Sequence, residues 1–331
     1  MNPRLFALMA AARVVSIPLR TRFRGMTERE LLVFEGPNGW SEWAAFPEYS
    51  DEEATVWLEA ALEWGYGDLS KPKRTQVKVN AILPAVNGEE IAKVLSRAGK
   101  FETVKIKVAE PGQDISLDLE RIQEVKQLYP EAKIRLDANG GFEIPQALEL
   151  LEKLSGLGIK LEYFEQPVKS IAELAELRLE MSKRGLETLV AADESVRKSS
   201  DPLAVEIAGA ADILVLKSAP LGGVATALEV AASSKLPIAA SSAMQSSIGL
   251  AAELHFAASL ASSSYDAGLG TLNLFAGDLV KDSLKPVDGV LEVRRETLNP
   301  AALEIFNAED HRYDWWIERL ERCGRLIGLE S

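Results

Sequence analysis

The sequence predicts an α/β fold, a TIM-like (β/α)7β barrel with an α+β capping domain built from the N-terminal segment and the C-terminal tail. Three observations predict it. From about residue 78, short β-rich runs alternate with helical stretches at intervals of roughly 25 to 30 residues, as in successive β/α units. There are eight such runs, the number in a closed barrel. Neither GxGxxG nor GxxxxGK[ST] occurs, which disfavours a doubly wound nucleotide-binding sheet.

The predicted strands are rich in β-branched and aromatic residues and several end in charged residues. The sequences between them, such as GEEIAKVLSRAG and LDLERIQEVKQLY, carry apolar residues at three- and four-residue spacings and are predicted helices. In chain order the predicted strands are VKVNAIL from Val77, TVKIKV from Thr103, KIRLDAN from Lys133, LEYFEQP from Leu161, TLVAADES from Thr188, DILVLKSA from Asp212, PIAASSA from Pro237 and YDAGLGT from Tyr265.

The remaining sequence predicts the second domain. Residues 1–76 form the N-terminal α+β capping domain, 77–275 the catalytic barrel, and 276–331 a C-terminal segment that packs back on the capping domain. Within 1–76 we predict a strand from the N-terminus, a turn at Asn38-Gly39, a second strand and the helix DEEATVWLEAALEWG. The apolar N-terminal run mimics a short signal, but Arg13 interrupts it and no clear cleavage region follows.

The charge balance limits the partners. The chain has 37 Lys plus Arg against 50 Asp plus Glu, a net charge of −13, which disfavours binding to nucleic acid or to an anionic membrane. A small-molecule carboxylate substrate fits, because lysines and a metal can reverse the potential inside one cleft. The single cysteine, Cys323, cannot form an intramolecular disulfide, which favours a reducing, cytoplasmic setting. The oligomeric state is left undetermined.

Charged residues late in five predicted strands are the candidate functional residues. In barrel enzymes the active site lies at the carboxyl ends of the strands, where a purely structural strand would have Val or Ile. Any one of these residues could be a surface charge or part of an internal salt bridge, but together they favour a functional site. They are Lys105 and Lys107, which share a face of one strand, Asp137, Glu165 and Asp193 on three successive strands, and Lys217 on the strand opposite the first lysines.

The three carboxylates are hard oxygen ligands in one arc of the rim, which suits Mg²⁺. Lysines on opposite strands, Lys107 and Lys217, would flank a substrate held above the metal. This is a geometry for proton transfer.

The motifs KIKV, RLDANGGF, YFEQPV, ADESV and VLKSAPLGG, in this order and spacing, resemble the barrel motifs of the enolase superfamily, muconate-lactonising subgroup. The resemblance implies that Asp137, Glu165 and Asp193 bind Mg²⁺, for which Mn²⁺ may substitute. It implies that Lys107 and Lys217 are the catalytic acid/base pair. Lys105 would help to hold the substrate carboxylate.

Two further features choose among members of this subgroup. The only histidines, His255 and His311, are not at predicted strand ends, unlike the base of mandelate-racemase-like members. The Asp-x-Asp pair of dipeptide epimerases is replaced by Ala-Gly-Leu-Gly at 267–270. The segments SSAMQSSIGL and GLGTLNL instead resemble lyases of this subgroup, which implies that Ser241 and Gly268 contact a carboxylate-bearing arm of the substrate.

The resemblance therefore implies a metal-assisted syn dehydration by a carbon-oxygen lyase. An N-acylamino acid racemase or another muconate-lactonising-type isomerase is the alternative, and a noncatalytic metal-binding barrel is the second. The segment from Thr21 to Met26 has the position of the family's capping loop, although it could equally be an exposed connection.

Overall fold

The computed structural model describes residues 4–23 and 25–330, and its N-terminal part is an antiparallel sheet with two helices. Strands β1 (Arg13–Phe23), β2 (Met26–Gly36) and β3 (Gly39–Trp43) pair in chain order. Helix α1 (Leu5–Ala11) precedes them and α2 (Asp51–Tyr66) follows. The predicted turn and the predicted acidic helix are confirmed. The Ser50 side chain caps α2 by accepting the Glu53 N–H at 3.2 Å.

The first predicted strand was wrong at its beginning, because residues Leu5–Ala11 form a helix before the strand starts at Arg13. Leucine, alanine and methionine are strong helix formers, and this heptapeptide is LFALMAA. Leu5 and Leu8 lie on one face of α1 and are buried. Tertiary packing of that face therefore stabilises a helix too short to persist alone.

A curled parallel sheet forms the second part of the protein. The predicted run from Val77 divides into two strands at Asn80. The first, β4 (Gln76–Lys78), leaves the parallel sheet and pairs antiparallel with β12 (Val290–Glu292) near the C-terminus. The seven parallel strands, in spatial as well as chain order, are β5 (Ala81–Leu83), β6 (Thr103–Lys107), β7 (Lys133–Asp137), β8 (Leu161–Glu165), β9 (Val190–Ala192), β10 (Ile213–Leu216) and β11 (Ile238–Ala240).

Helices between these strands cover the sheet with apolar faces. Several begin at the residues expected from capping chemistry: the Asp114 and Ser170 side chains accept backbone N–H groups at two of the helix starts. The helices are α3 (Glu89–Ser96), α4 (Ile115–Leu128), α5 (Ile144–Gly156), α6 (Ile171–Lys183), α7 (Glu194–Arg197), α8 (Ala204–Ile207), α9 (Val224–Ser233) and α10 (Ser247–Ser259).

The eighth predicted strand, from Tyr265, is not a regular strand. It makes only single parallel bridges, from Ala267 to Val79 and from Gly268 to Ser241, and a 3₁₀ turn, Gly270–Leu274, follows directly. Glycine has little preference for extended pairing, which accounts for the short contact. The structure therefore shows a curled parallel half-barrel with the N-terminal capping unit beside it.

The C-terminal segment contacts the helices and strands of the capping unit. Helices α11 (Pro300–Phe306) and α12 (Asp310–Leu326) lie there. Trp316 on α12 is fully buried and meets Trp43 edge to face, with ring centroids 5.3 Å apart. Buried Cys323 lies on the same helix. The boundaries at 76/77 and 275/276 stay predictions.

Three side chains join the capping unit to the loops that follow β10 and β11. The Glu42 carboxylate accepts the Ser246 N–H at 3.2 Å, and Arg29 donates to the Met244 carbonyl at 3.1 Å. Glu63 accepts the Ala225 N–H at 3.0 Å at the start of α9. Burial raises the pKa of Glu42 to about 8.

Among the described helices, none has the length and apolar character needed to cross a membrane.

Candidate active site

The structure places all six charged residues from the sequence analysis at the carboxyl ends of neighbouring parallel strands. Strand register aligns them, because Lys107 is opposite Asp137 and Asp137 is opposite Glu165. Each is at least nine-tenths buried, although ionised groups are rarely buried without a partner or a function. They lie on β6 (Lys105, Lys107), at the ends of β7 and β8 (Asp137, Glu165), and just after β9 and β10 (Asp193, Lys217).

Lys105 lies between two carboxylates. Its Nζ is 2.9 Å from an oxygen of Glu165 and 3.4 Å from Asp137 Oδ2. Burial opposes the charge of this ammonium group, but the nearby anions outweigh burial, so the pKa of Lys105 is raised. In this structure Lys105 is therefore a cation that offsets negative charge in the acidic cluster, which consists of Asp137, Glu165 and Asp193.

The two lysines predicted to transfer protons each contact one carboxylate. Lys107 Nζ is 2.5 Å from Asp137 Oδ2 and also donates to the Asn139 side chain. Lys217 Nζ is 2.6 Å from Asp193 Oδ2. The acidic cluster therefore holds one lysine from each side.

The acids influence one another strongly. Burial, followed by the negative charge of Asp137, raises the pKa of Glu165 to about 7. Burial also opposes ionisation of Asp137 and Asp193, but Lys107 and Lys217 respectively outweigh it and lower the pKa of each carboxyl. Each of these acids lies within hydrogen-bonding distance of a buried lysine, which shows that the site attracts cations.

Gln166 links the ends of β8 and β9, a role that the sequence analysis did not assign. Its Oε1 accepts the N–H groups of Asp193 and Ser195, both at 3.1 Å. Its Nε2 donates to the Val168 carbonyl at 2.8 Å and to the Ser195 hydroxyl at 2.7 Å. The side chain is fully buried, so it fixes Asp193 relative to the preceding Glu165.

The backbone is strained just beyond several strand ends. Ala109, Asn139, Gln166 and Met244 have positive φ angles between 39° and 62°, a region that non-glycine residues rarely adopt. Each follows one of the strands β6, β7, β8 and β11. Such strain is concentrated at functional sites, where the surrounding structure enforces it.

A narrow cavity lies over these strand ends. Phe23, from the end of β1, covers one side, with its ring centroid 5.3 Å from Lys107 Nζ. Ser241 and Gly268 form another side, and a Cβ at Gly268 would lie 2.5 Å from the Ser241 hydroxyl, so a larger residue there would displace the Ser241 side chain. The cavity is lined by Phe23, Ile82, Lys105, Lys107, Asp137, Asn139, Lys217, Ser241, Ser242, Ala243, Met244, Gly268 and Thr271.

The predicted capping loop is the tip of the β1–β2 hairpin, although Arg24 lies outside the described residues. Thr21 and Arg22 lie on β1 and line a groove of about 750 Å³ that reaches Lys107. This part of the capping unit therefore contacts the entrance to the lysine side of the site.

Neither histidine lines this cavity or groove. His255 Nε2 lies 2.9 Å from the Ser70 carbonyl, and His311 is an exposed side chain near Glu309. The chemistry at the described strand ends is therefore provided by lysines and acids.

The chain belongs to the enolase superfamily. Residues 88–297 match the family described as enolase C-terminal domain-like, and residues 14–65 match the enolase N-terminal domain-like family. Enzymes of this superfamily use a base with divalent metal to stabilise an enediolate.

The chain is similar to curated enzymes over nearly its whole length. It is 45% identical over 325 residues to the o-succinylbenzoate synthase of Mycobacterium tuberculosis (strain H37Rv), which covers 98% of this chain and 97% of that protein. The o-succinylbenzoate synthase of Mycobacterium ulcerans is 44% identical over 324 residues, with coverage of 98% and 96%.

Solved structures share the fold. The muconate lactonizing enzyme from Pseudomonas fluorescens, complexed with muconolactone, has a TM-score of 0.73 at 18% identity, covering 90% of this chain and 98% of that one. The L-Ala-D/L-Glu epimerase from Bacillus subtilis has a TM-score of 0.70 at 19% identity, with coverage of 87% and 96%. The resemblance to the muconate-lactonising subgroup is thereby confirmed at the level of fold.

The acidic cluster has the donor chemistry of a divalent metal site. Its three buried carboxylates offer hard oxygen ligands. Asp193 Oδ1 is buried and accepts no hydrogen bond from the described residues, although Arg197 Nε lies 3.3 Å from it. Across residues 4–23 and 25–330, no three acidic, histidine or cysteine side chains are already grouped as a metal site, and lysines pair with the carboxylates instead. The residue types fit a cation that would share these oxygens with the lysines.

Proposed function

We propose that this protein is an o-succinylbenzoate synthase, which converts 2-succinyl-6-hydroxy-2,4-cyclohexadiene-1-carboxylate to 2-succinylbenzoate and water by syn dehydration, a step of menaquinone biosynthesis. One observation carries the proposal. Lys107 and Lys217, four strands apart, line the same narrow cavity above three buried carboxylates. The identity of 45% to curated synthases over 98% of the chain supports the substrate.

Lys107 is the base in this reaction. It takes the proton from the carbon next to the substrate carboxylate, which leaves an enediolate. The protonated amine then donates that proton to the departing hydroxyl on the same face, the C–O bond breaks, and the ring becomes aromatic. One group can serve as base and then acid because the elimination is syn.

Lys217 stabilises the enediolate as a cation on the opposite side. Its ammonium group is buried beside Asp193, where water screens its charge little. Because the negative charge on the substrate grows during proton removal, this interaction strengthens in the transition state and lowers the barrier.

Asp137, Glu165 and Asp193 would hold a divalent cation, Mg²⁺ or Mn²⁺. That cation supplies positive charge near the substrate carboxylate. Lys105, which contacts Glu165 and Asp137, limits the repulsion among these acids and helps to hold the substrate carboxylate.

Ser241 and Gly268 would contact the carboxylate-bearing succinyl arm. Support comes from their position: both line the cavity, and the Ser242 hydroxyl donates to the Gly268 carbonyl at 2.9 Å. The bridges at Ala267 and Gly268 also support closure of the sheet into a (β/α)7β barrel, with 267–268 as the eighth strand. A cytoplasmic location accords with the unpaired buried Cys323.

Racemisation of N-acylamino acids is the second candidate function. The opposed pair of Lys107 and Lys217 favours it, since racemisation needs a proton donor and acceptor on both faces of one carbon. A noncatalytic metal-binding barrel would need neither lysine.

The proposed synthase is tested by incubating the purified protein with the hydroxycyclohexadiene substrate and Mg²⁺. We expect 2-succinylbenzoate to form. If it does not, the proposed synthase function is contradicted, although membership of the enolase superfamily is unaffected.

Metal removal is expected to abolish turnover. In excess EDTA we expect less than about 1% of the rate, because the charge on the substrate carboxylate would then be left without its cation. Adding Mg²⁺ or Mn²⁺ beyond the chelator should restore the rate. Product formation measured by absorbance checks this. Full activity in EDTA would remove the metal from the proposal.

The variant Gln166→Leu is expected to weaken binding of Mn²⁺ by about 10- to 100-fold, as do changes to residues that orient metal ligands. The change removes the acceptor that fixes the amides of Asp193 and Ser195. Calorimetric titration with Mn²⁺ measures the effect. Gln146→Leu is the matched control, because its side chain also accepts one backbone N–H, at the distant start of α5. Equal affinities in the two variants would contradict the role of Gln166.

A further inference from the structure

Glu253 is a buried carboxylate outside the charged cluster. It lies on α10 and is fully buried, yet it forms no ion pair with any described residue. Four donors surround it instead. The Ser218 N–H and hydroxyl reach Oε2 at 2.6 and 2.9 Å, and the Ala219 N–H and the Gln245 side-chain amide reach Oε1 at 3.1 and 2.9 Å.

Three of these four donors belong to Ser218 and Ala219, the two residues that follow Lys217 in the chain. Ser218 and Ala219 leave β10 at the point where Lys217 enters the cavity. Because their N–H groups both point to one carboxylate, the backbone of the lysine is held to α10. A rigid backbone restricts where the ammonium group can reach.

The other contact extends to the neighbouring loop. Gln245 donates to Glu253 and accepts the Ala243 N–H at 2.7 Å. Ala243 follows Ser241 and Ser242, which line the cavity. The same carboxylate is therefore connected both to the lysine and to the loop assigned to the substrate arm.

We propose that Glu253 is a positioning residue that fixes Lys217 and, through Gln245, the Ser241–Ala243 loop in one relative arrangement. The proposal rests on the proposed function for its catalytic consequence. A carboxylate suits this place because it only accepts hydrogen bonds, and each oxygen has two donors. Burial raises the pKa of Glu253, while the backbone and side-chain donors oppose that rise.

The variant Glu253→Gln tests the proposal. Glutamine has the same shape, but an NH₂ group replaces one of the two carboxylate oxygens. In either orientation of the amide this NH₂ faces two donors that it cannot accept, so one pair of hydrogen bonds is lost. The matched control is Asp212→Asn. Asp212 lies just before β10, at the other end of the strand from Lys217. Its carboxylate also accepts a backbone N–H, from Val190 at 2.9 Å. Changes at that end of a strand affect stability more than catalysis.

Hydrogen exchange of the purified protein, measured by mass spectrometry, is the first readout. In Glu253→Gln the peptide that contains Ser218 and Ala219 is expected to exchange at least about 10-fold faster, because one of its two amides loses its acceptor. The same peptide should be unchanged in Asp212→Asn. Unchanged exchange in Glu253→Gln would overturn the proposal whatever reaction the enzyme catalyses.

Kinetics provide the second readout. We expect Glu253→Gln to lower kcat by about 10- to 100-fold, as misplacement of a catalytic group does, while Asp212→Asn stays within about 2-fold. In a Lys217→Ala background the same change should cost less than in the wild type, because the part of its effect that passes through the lysine is already lost. An equal cost in both backgrounds, or no loss of kcat beyond that of Asp212→Asn, would overturn the positioning role. If the wild type lacks synthase activity, the proposed function is contradicted. The hydrogen-exchange result still shows whether Glu253 holds the Ser218 and Ala219 backbone.

Discussion

Lys107→Ala is expected to abolish formation of 2-succinylbenzoate, with kcat falling by at least about 10⁴-fold, the upper range for loss of a general acid or base. The loss should be this large because one amine is both the base and the acid of the syn elimination. In the structure Lys107 Nζ lies 2.5 Å from Asp137 Oδ2 and 5.3 Å from the centroid of the Phe23 ring, and alanine would leave no titratable group at that position.

The proton-exchange reaction should disappear together with dehydration in Lys107→Ala. Exchange with solvent deuterium, followed by NMR on the N-succinylamino acid enantiomer whose α-proton faces Lys107, gives that second measurement. Lys78→Ala is the control, since Lys78 is an exposed lysine paired with Glu102 and should leave both rates unchanged. A folded Lys107→Ala protein that retains a tenth of the wild-type rate would contradict the assignment of the base.

Lys217→Ala is expected to lower the rate of dehydration by about 10²- to 10³-fold, comparable with removal of one preorganised group that stabilises an oxyanion. Lys217→Arg should be less impaired. In the native protein the Lys217 ammonium group lies 2.6 Å from Asp193 Oδ2. Arginine keeps a positive charge there but is a very poor acid or base.

The arginine variant separates electrostatic stabilisation from proton transfer. Racemisation needs proton transfer at Lys217, whereas dehydration needs only its charge, so Lys217→Arg should lose more racemisation than dehydration. Both rates are measured side by side in the same preparation. Equal loss of the two reactions would refute a purely electrostatic role for Lys217.

The strand-end residues could be predicted because β/α units place them by a simple rule. A parallel strand such as β6 is short and buried, so charges at Lys105 and Lys107 stand out against apolar neighbours. The order of strands then determines which residues share an arc, and the register of Lys107 with Asp137 agrees with it.

The ends of elements were harder to predict because tertiary contacts decide them. The run from Val77 divides because Asn80 uses its side chain locally, donating to the Ala81 carbonyl and accepting from Arg135 at 2.9 Å. The predicted strand from Thr188 is reduced to Val190–Ala192, because Asp193 turns directly into α7. Periodicity alone contains neither contact.

The supporting residues of the site could not be recognised from the sequence. Glu42 and Glu253 lie in segments where glutamate is usually solvent-exposed, and only the packing of β3 and α10 buries them. Gln166 was visible beside Glu165, but three of its four hydrogen bonds are to Asp193 and Ser195, which lie beyond β9. A partner distant in sequence leaves no local pattern.

The most direct test of the proposed function compares the two candidate reactions on the wild-type enzyme. Purified protein with Mg²⁺ is incubated in D₂O with the hydroxycyclohexadiene carboxylate and, separately, with an N-succinylamino acid, and both are followed by NMR. We expect aromatic 2-succinylbenzoate to form with a kcat/KM at least about 10-fold above that for deuterium incorporation into the amino acid, a difference of about 1.4 kcal/mol in transition-state stabilisation. Deuterium incorporation without any aromatic product would contradict the proposal and make the protein a racemase.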